Sequence, residues 1–294
     1  VERHFPVLGI EPAANVARAA LAKGVPTLVE FFSCELARRL AAEGKAADLL
    51  IGNNVLAQVP DLNDFVAGMR VLLKPHGVLT MEFPHLARLI AENQFDTIYH
   101  EHFSYFSFCT VERIFAHHGL ELFDVEELPT HGGSLRIYAR HAGSVGVPPS
   151  ERVGALRAAE VAAGLNRVET YHSFGQQVQR TKRKLLAFLI AAKNDGKHIA
   201  GYGAPGKGNT LLNYCGIRTD FLDYTVDRNP YKQGKFLPGT HIPIHHPDRI
   251  RETKPDFLLV LPWNFAEEII AQNAFIREWG GRFVLLIPEP RVVA

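Results

Sequence analysis

The stretch that decides the fold is Gly201-Tyr202-Gly203-Ala204-Pro205-Gly206, which follows a short predicted strand and precedes a predicted helix. Its glycines fit the pattern G-x-G-x-x-G, and the next predicted strand ends on Asp227. This is the context of a dinucleotide-binding fingerprint, in which backbone N–H groups at a helix start cradle a diphosphate. Lys207 adds a positive charge there. The pattern predicts a doubly wound parallel sheet; the alternative is a tight turn without a ligand.

The residues around this stretch complete a second domain. Apolar runs predict strands at Phe257–Leu261 and Arg282–Ile287, with a helix from Ala266 to Asn273 between them. Pro148-Pro149-Ser150 marks a boundary, and residues 151–194 are expected to be helical, with breaks near Gly164 and Gly175. We therefore predict a domain at 1–145 and a Rossmann-like domain at 146–294, with a helical linker at 150–195.

The first half of the chain alternates between strand and helix patterns, which predicts an α/β domain. The predicted strands are Phe5–Ile10, Thr27–Phe32, Asp48–Leu56 and Val78–Phe83, and Lys74-Pro75-His76-Gly77 is predicted as a turn. Two further strands, Leu120–Val125 and Ser134–Ala139, are expected to pair antiparallel through the turn His131-Gly132-Gly133.

A polar stretch beside aromatic rings is the strongest indication of chemistry. Gln94-Phe95-Asp96-Thr97-Ile98-Tyr99-His100-Glu101-His102 places five protic side chains in seven positions, and Phe103-Ser104-Tyr105-Phe106 follows. Burying such groups without partners costs free energy, whereas exposing the rings wastes apolar area. A partly closed reaction pocket explains both features, and His is the side chain that accepts a proton near neutral pH. The alternative is a helix start with surface histidines.

This stretch resembles the catalytic segment of the S-adenosylmethionine-dependent sugar C-methyltransferases, which methylate a carbon next to a keto group of a nucleoside-diphosphate deoxysugar. Four other segments resemble the family in the same order: Met81–Pro84, His131–Arg136, Gly201–Thr210 and Pro262–Asn264. The resemblance implies a partial class I methyltransferase (Rossmann-like) domain followed by a second Rossmann-like, doubly wound domain.

The resemblance also implies roles for individual residues. His102 would be the base that forms an enolate, with Glu101 orienting it and Tyr99 bonding the sugar, while His100 is the rival base. S-adenosyl-L-methionine would be the cofactor, and its ribose would meet Glu11 at the end of a strand.

Other polar groups are expected at the carboxyl edges of the two sheets. Asn53 and Asn54 would border the cofactor, and Gln58 stands where the family has a His, so it can hydrogen-bond but cannot take a proton. The nucleotide-sugar substrate is expected to contact a group of residues that comprises Gln58, Gly203, Gly206, Lys207, Asn209, Asp227, Trp263 and Asn264.

The remaining expectations concern the context of the protein. The first strand and Gly-rich turn of a methyltransferase domain are missing, as is the family's N-terminal zinc module, so we expect an N-terminally truncated chain without a metal. A net charge of +1 predicts no partner among nucleic acids or anionic membranes, and three scattered cysteines fit a reducing cytoplasm. We expect a monomer.

Two other functions remain open. The fingerprint alone would also suit an NAD(P)-dependent oxidoreductase or dehydratase acting on a nucleotide sugar. A non-catalytic binding remnant of an enzyme is the third possibility, and cofactor binding discriminates among them.

Overall fold

The computed structural model describes residues 5–144 and 148–293. Their contacts form two compact units. The first unit comprises the chain up to Phe83, Phe108–Glu126 and Leu135–Arg157, and the second comprises Pro84–Ser107, Glu127–Ser134 and the chain from Ala158 onward. The polar-aromatic stretch (residues 94–106) therefore belongs to the same unit as the glycine-rich stretch (residues 201–206). The predicted boundary at 145/146 lies outside the described residues.

The elements of the first part of the chain alternate as predicted. In order, they are β1 (Gly9–Ile10), α1 (Ala14–Ala22), β2 (Thr27–Leu28), α2 (Cys34–Ala42), β3 (Ala47–Asn53), α3 (Leu62–Leu72), β4 (Leu73–Pro84), α4 (Leu86–Ala91), α5 (Phe108–His117), β5 (Leu120–Leu128) and β6 (Ser134–His141). Strands β1 and β2 form a small parallel pair, while the other four follow the order β3-β4-β6-β5.

Three local predictions in this unit need correction. The strands predicted at Phe5–Ile10 and Thr27–Phe32 shrink to two residues each, because only Gly9–Ile10 and Thr27–Leu28 find partners. The predicted turn Lys74–Gly77 lies inside β4, where the partner of β3 jumps from Leu73 to Val78. The four residues are thus accommodated as an irregularity of the strand, which resumes its pairing afterwards.

The second unit contains the remaining elements. They are α6 (Glu151–Ala162), α7 (Val168–Asn194), β7 (Ile199–Tyr202), α8 (Gly206–Cys215), β8 (Tyr224–Val226), β9 (Ile244–His245), α9 (Arg249–Thr253), β10 (Phe257–Val260), α10 (Ala266–Gln272), β11 (Arg282–Leu285) and β12 (Arg291–Val293). The first turns of α6, up to Arg157, belong to the first unit.

The sheet of the second unit has the strand order β12-β11-β10-β7-β8-β9. All neighbours are parallel except β11 and β12. Because β7 pairs with β8 on one side and β10 on the other, the strand order reverses between β7 and β10. Ligands of open α/β sheets bind outside the carboxyl ends of the strands at such a reversal.

Helices cover both faces of this sheet, which confirms the doubly wound prediction. Along β10, Leu258 and Val260 join one buried cluster, whereas Phe257 and Leu259 join the other, as the two-residue period of a strand requires. Side chains of α7 and α8 complete the cluster that contains Phe257 and Leu259. Side chains of α9 and α10 complete the cluster that contains Leu258 and Val260.

The predicted break near Gly175 is wrong, because α7 runs without interruption from Val168 to Asn194. The predicted break near Gly164 is confirmed: this residue lies between α6 and α7 with φ of +73°. The two glycines differ in backbone conformation, and only the left-handed one requires glycine.

Among the described residues, no helix is long and apolar enough to cross a membrane.

We expect Gly175→Ala to stabilise the protein by about 0.5–1 kcal/mol, because alanine favours the helical backbone more than glycine does. An added Cβ would meet nothing within 4 Å at Gly175. Gly164→Ala is the matched control and should destabilise, since its Cβ would lie 2.8 Å from Thr170 Oγ1 and φ is positive. Urea unfolding of both variants measures the two effects. Equal effects of the same sign would contradict the helix geometry.

Candidate active site

The predicted catalytic residues form a tight turn rather than a strand or helix. The backbone N–H of His102 donates to the carbonyl of Tyr99 at 3.1 Å, and the two rings stack with centroids 5.0 Å apart. His102 and Tyr99 are half-buried, whereas His100 and Glu101 are exposed at the tip. The turn therefore separates the two candidate histidines, and His102 is the one that faces other aromatic groups.

His102 has the environment of a proton acceptor. Burial lowers the pKa of its imidazole, while a hydrogen bond to the Thr97 backbone and the nearby Glu101 charge raise it, and His131 lowers it again. The net direction is downward, which favours the neutral ring near pH 7. A neutral imidazole has one ring nitrogen without a proton, and this nitrogen can accept one.

Tyr99 and Tyr105 border the imidazole on two sides. The Tyr105 ring lies edge-on to His102 at 5.5 Å, and its hydroxyl oxygen accepts a hydrogen bond from the Tyr99 backbone N–H at 3.1 Å. Burial raises the pKa of both phenols, so each hydroxyl keeps its proton at neutral pH and can donate to an oxygen. Glu101 acts on His102 through its charge, and the rings of Tyr99 and Tyr105 contact the imidazole.

The two predicted substrate residues Trp263 and Asn264 contact groups of the protein itself. The indole N–H of Trp263 donates to Asp96 Oδ2 at 2.7 Å, and Asp96 is fully buried. The ammonium group of Lys207 lies 4.2 Å from the centre of the Trp263 ring and donates to Asn264 Oδ1 at 3.0 Å. Trp263 thus joins the start of the polar-aromatic stretch to the glycine-rich stretch.

Asp96 and Lys207 influence each other electrostatically. Burial raises the pKa of Asp96 to about 7, although the Trp263 hydrogen bond and the Lys207 charge oppose this shift. Burial also lowers the pKa of Lys207, and Asp96 opposes that shift. The positive charge of Lys207 is therefore mostly buried beside a carboxyl group that is only partly ionised near neutrality, and an anionic ligand would stabilise it further.

The glycine-rich loop is held by the acid that sequence analysis assigned to the substrate. Asp227 accepts backbone N–H groups of Ala204 and Asn229, each at 2.8 Å, and lies 3.4 Å from Lys232 Nζ. Gly203 has φ of +89°, and a Cβ there would lie 2.6 Å from Pro262 Cδ. Asp227 and Gly203 therefore fix the loop conformation, and a substrate-binding role for either remains a prediction.

Other residues of the loop are more accessible. Gly206 is exposed at the first position of α8, and a Cβ there would meet nothing within 4 Å. Asn209 Oδ1 is buried and has no hydrogen-bond partner within the described ranges. A cleft of about 310 Å³ lies at the strand reversal and is lined by Gly203, Asp227, Pro262, Phe265 and Glu268, among others.

The predicted cofactor residues belong to the first unit. Glu11 follows β1, and its Oε1 accepts the Ala13 N–H at 2.8 Å, which holds the carboxylate at the strand end. Asn53 ends β3, and Asn54 follows with φ of +56°. Gln58 is half-buried in the short helix Leu56–Gln58. These positions are the carboxyl ends of parallel strands, as expected for ligand contacts.

Comparison with known proteins establishes the family. Residues 129–288 match the model described as C-methyltransferase C-terminal domain, and residues 2–125 match the model described as Methyltransferase domain. The chain is also 39% identical over 289 residues to C-methyltransferase NovU of Streptomyces niveus, which covers 98% of this chain and 68% of NovU. The chain belongs to the C-methyltransferase family.

Solved structures align with this family member over less than half of its length. A Burkholderia thailandensis 1,6-didemethyltoxoflavin-N1-methyltransferase is 18% identical over 48% of this chain and 63% of its own, with a TM-score of 0.36. An S-adenosylmethionine-dependent methyltransferase from Anabaena variabilis is 14% identical over 47% of this chain and 69% of its own, with a TM-score of 0.39.

The described residues contain no group of three or more His, Cys, Asp or Glu side chains that could hold a metal ion. Arg136 donates a hydrogen bond to the buried Glu82 at 2.8 Å. Sequence analysis missed the Asp96–Trp263 contact, because these residues lie 167 positions apart.

The raised pKa of Asp96 predicts a pH-dependent stability. The folded protein binds a proton at Asp96 with a pKa of about 7, whereas the usual value is 3.8. The stabilisation from this protonation is complete below the lower pKa and is lost as the pH rises through 7. Asp96→Asn cannot ionise at this position. As the pH rises from 5 to 8, we therefore expect its free energy of unfolding to increase by ~1–4 kcal/mol relative to that of the wild type.

Urea unfolding at pH 5 and pH 8 measures this difference. The exposed Asp220→Asn serves as the control and should show no such change with pH. If the Asp96→Asn and wild-type stabilities differ by the same amount at both pH values, the carboxyl is not protonated in the folded state.

Proposed function

We propose that this protein is an S-adenosylmethionine-dependent C-methyltransferase that methylates a carbon next to a keto group of a nucleoside-diphosphate deoxysugar. The observation that carries the proposal is His102, a half-buried imidazole whose pKa is lowered by burial and whose ring stacks on Tyr99 with centroids 5.0 Å apart. A carbon next to a carbonyl becomes a nucleophile toward a sulfonium methyl when it loses a proton, and it is acidic enough for an imidazole base. Membership of the C-methyltransferase family fits this chemistry.

The proposed steps assign one role to each residue of the turn. His102 removes the proton from the carbon, and the electron pair moves to the carbonyl oxygen as an enolate. Tyr99, whose hydroxyl stays protonated, donates a hydrogen bond to a sugar oxygen, and Glu101 stabilises the imidazolium that forms. The cofactor supplies the methyl group: a carbon–carbon bond forms as the sulfur–methyl bond breaks, and the sulfur keeps the electron pair.

Binding of the cofactor is assigned to the first unit. Glu11 would accept hydrogen bonds from the two ribose hydroxyls, because its carboxylate is fixed at the end of β1 and its Oε2 accepts no hydrogen bond among the described residues. Asn53 and Asn54 lie at the carboxyl end of β3, in the four-stranded sheet of the same unit. S-adenosylmethionine fits such a site, since a strand-end acid is its usual ribose partner in Rossmann-like folds.

Binding of the substrate diphosphate is assigned to Lys207 and the start of α8. The first backbone N–H groups of that helix have no partners within the helix, and the buried ammonium group beside them would gain from an anion. Gly206 leaves the helix start open, and Asn209 adds an amide. Gln58 can hydrogen-bond the sugar but cannot carry charge.

The oxidoreductase alternative loses its main support in the loop geometry. A dinucleotide needs the strand-end acid to accept ribose hydroxyls. Both oxygens of Asp227 instead accept N–H groups of the protein. We therefore expect binding of S-adenosylmethionine and not of NAD(P)H to the whole protein.

Calorimetry on two variants separates the two ligands. Glu11→Ala should weaken the binding of S-adenosylmethionine by about 1.5–3 kcal/mol, the value of a charge-assisted contact, and leave the binding of the nucleotide sugar unaffected. Lys207→Met should weaken the binding of the nucleotide sugar and leave that of S-adenosylmethionine unaffected, so each variant is the control for the other. Binding of NAD(P)H without S-adenosylmethionine would contradict the proposal, as would a parallel loss of both ligands in either folded variant.

Exchange of the substrate proton tests the base. His102→Asn should slow solvent-deuterium exchange at the sugar carbon about 10²–10⁴-fold with substrate affinity nearly intact. His100→Asn is the matched control, because its side chain is exposed at the tip of the same turn, and it should exchange at the wild-type rate. The assignment is wrong if His102→Asn exchanges as fast as wild type.

A further inference from the structure

The hydrogen bond between Trp263 and Asp96 is placed where it can control the proposed base. Asp96 Oδ2 accepts the indole N–H at 2.7 Å, and both residues belong to the second unit. The carboxyl group is fully buried, and its Oδ1 has no hydrogen-bond partner in the described part of the chain. Trp263 is thus the group that satisfies this buried acid, and loss of the indole would leave it without a donor.

The indole itself is held from several directions. Lys207 lies over its face at 4.2 Å from the ring centre and bonds the neighbouring Asn264. Gly132 also approaches the ring so closely that a Cβ there would lie 2.4 Å from Trp263 Cη2. Gln94 donates to the Gly132 carbonyl at 2.6 Å. These contacts fix the position of the indole N–H independently of its hydrogen bond to Asp96.

Asp96 transmits this fixed position to His102. It is the middle residue of the short helix Phe95–Thr97, whose first residue, Phe95, is buried in the core and packs edge-on against Tyr214 at 5.3 Å. The helix leads into the turn that carries His102: the Ile98 N–H donates to the Phe95 carbonyl at 3.1 Å, and the His102 N–H donates to the Tyr99 carbonyl at 3.1 Å. A displacement of Asp96 would move this turn and rotate the imidazole away from its orientation.

We propose that Asp96 and Trp263 are positioning residues: their hydrogen bond holds the start of the turn that orients the His102 ring for proton removal. The proposal rests on the proposed role of His102 as the base. Neither residue touches the reacting atoms. Trp263, which sequence analysis assigned to the substrate, acts through Asp96 in this account.

A merely structural role would lower stability and leave the turnover of the folded protein unchanged. A positioning role lowers kcat with KM nearly intact, because the substrate still binds while the base is misplaced. It also predicts rescue by Asp96→Asn, since the amide oxygen can accept the same indole N–H. These two signatures distinguish the roles.

The experiment uses the whole protein with S-adenosylmethionine and a keto-sugar nucleotide, and compares Asp96→Ala, Asp96→Asn, Trp263→Phe and the double variant Asp96→Ala/Trp263→Phe. The two single variants that remove the hydrogen bond should lose about 10- to 100-fold in kcat and in deuterium exchange, the scale of an ångström-level misplacement. The double variant should lose no more than the worse single variant. Asp96→Asn should retain most of the activity.

Trp279→Phe is the matched control, because Trp279 is the second of the two tryptophans and its indole N–H donates at 3.1 Å to the Pro255 carbonyl. It should turn over at the wild-type rate. The proposal is overturned if folded Trp263→Phe keeps the wild-type kcat, or if the two single losses multiply in the double variant. Should Asp96→Ala fail to fold, Trp263→Phe and Asp96→Asn decide the question.

A spectroscopic measurement separates this proposal from the proposed function. The imidazole ¹⁵N resonances of His102 report the surroundings of its ring in the absence of substrate. They should shift in Trp263→Phe and stay in place in Trp279→Phe, even if His102 is not the base. Unchanged His102 resonances in Trp263→Phe would refute the positioning role itself, whereas shifted resonances in Trp263→Phe together with wild-type exchange in His102→Asn would refute the base assignment and leave the positioning of the ring intact.

Discussion

The hydrogen bond from the Trp263 indole to the buried Asp96 carboxyl is the contact on which the rest of the candidate site depends. A carboxyl without exposure to water needs a donor, and the indole is the only polar group that Trp can offer. The bond joins a segment that carries the proposed base to the loop that carries Lys207. It also explains why Gly132 must be glycine, because any side chain there would displace the indole.

The doubly wound architecture of the second sheet could be predicted from the sequence because its determinants are local. The glycines after β7, the two-residue period of β10 and the acid after β8 each lie within one short segment. Gly164 and Gly175 show the limit of such signals. Both residues are glycines in a helical region, but only the backbone conformation at Gly164 is left-handed, and composition alone does not reveal it.

The identities of the candidate residues were easier to predict than their geometry. The sequence favours His102 over His100 only through the resemblance, since both lie in the same polar stretch. In the structure, a single hydrogen bond between His102 N–H and the Tyr99 carbonyl closes a turn and leaves His100 at its exposed tip. Asp227 shows the opposite case: the expected acid is present, but its oxygens bind Ala204 and Asn229 of its own loop. Such tertiary contacts join distant residues, so no local pattern predicts them.

The most direct test of the account follows the methyl group. The whole protein is incubated with a nucleoside-diphosphate keto-deoxysugar and S-adenosylmethionine labelled with ¹³C in its methyl group, and the product is located by NMR. The account predicts a labelled methyl bonded to the carbon next to the keto group, with loss of the proton that this carbon carried. A labelled methyl on an oxygen or nitrogen, or no transfer to any keto-sugar nucleotide, would contradict it.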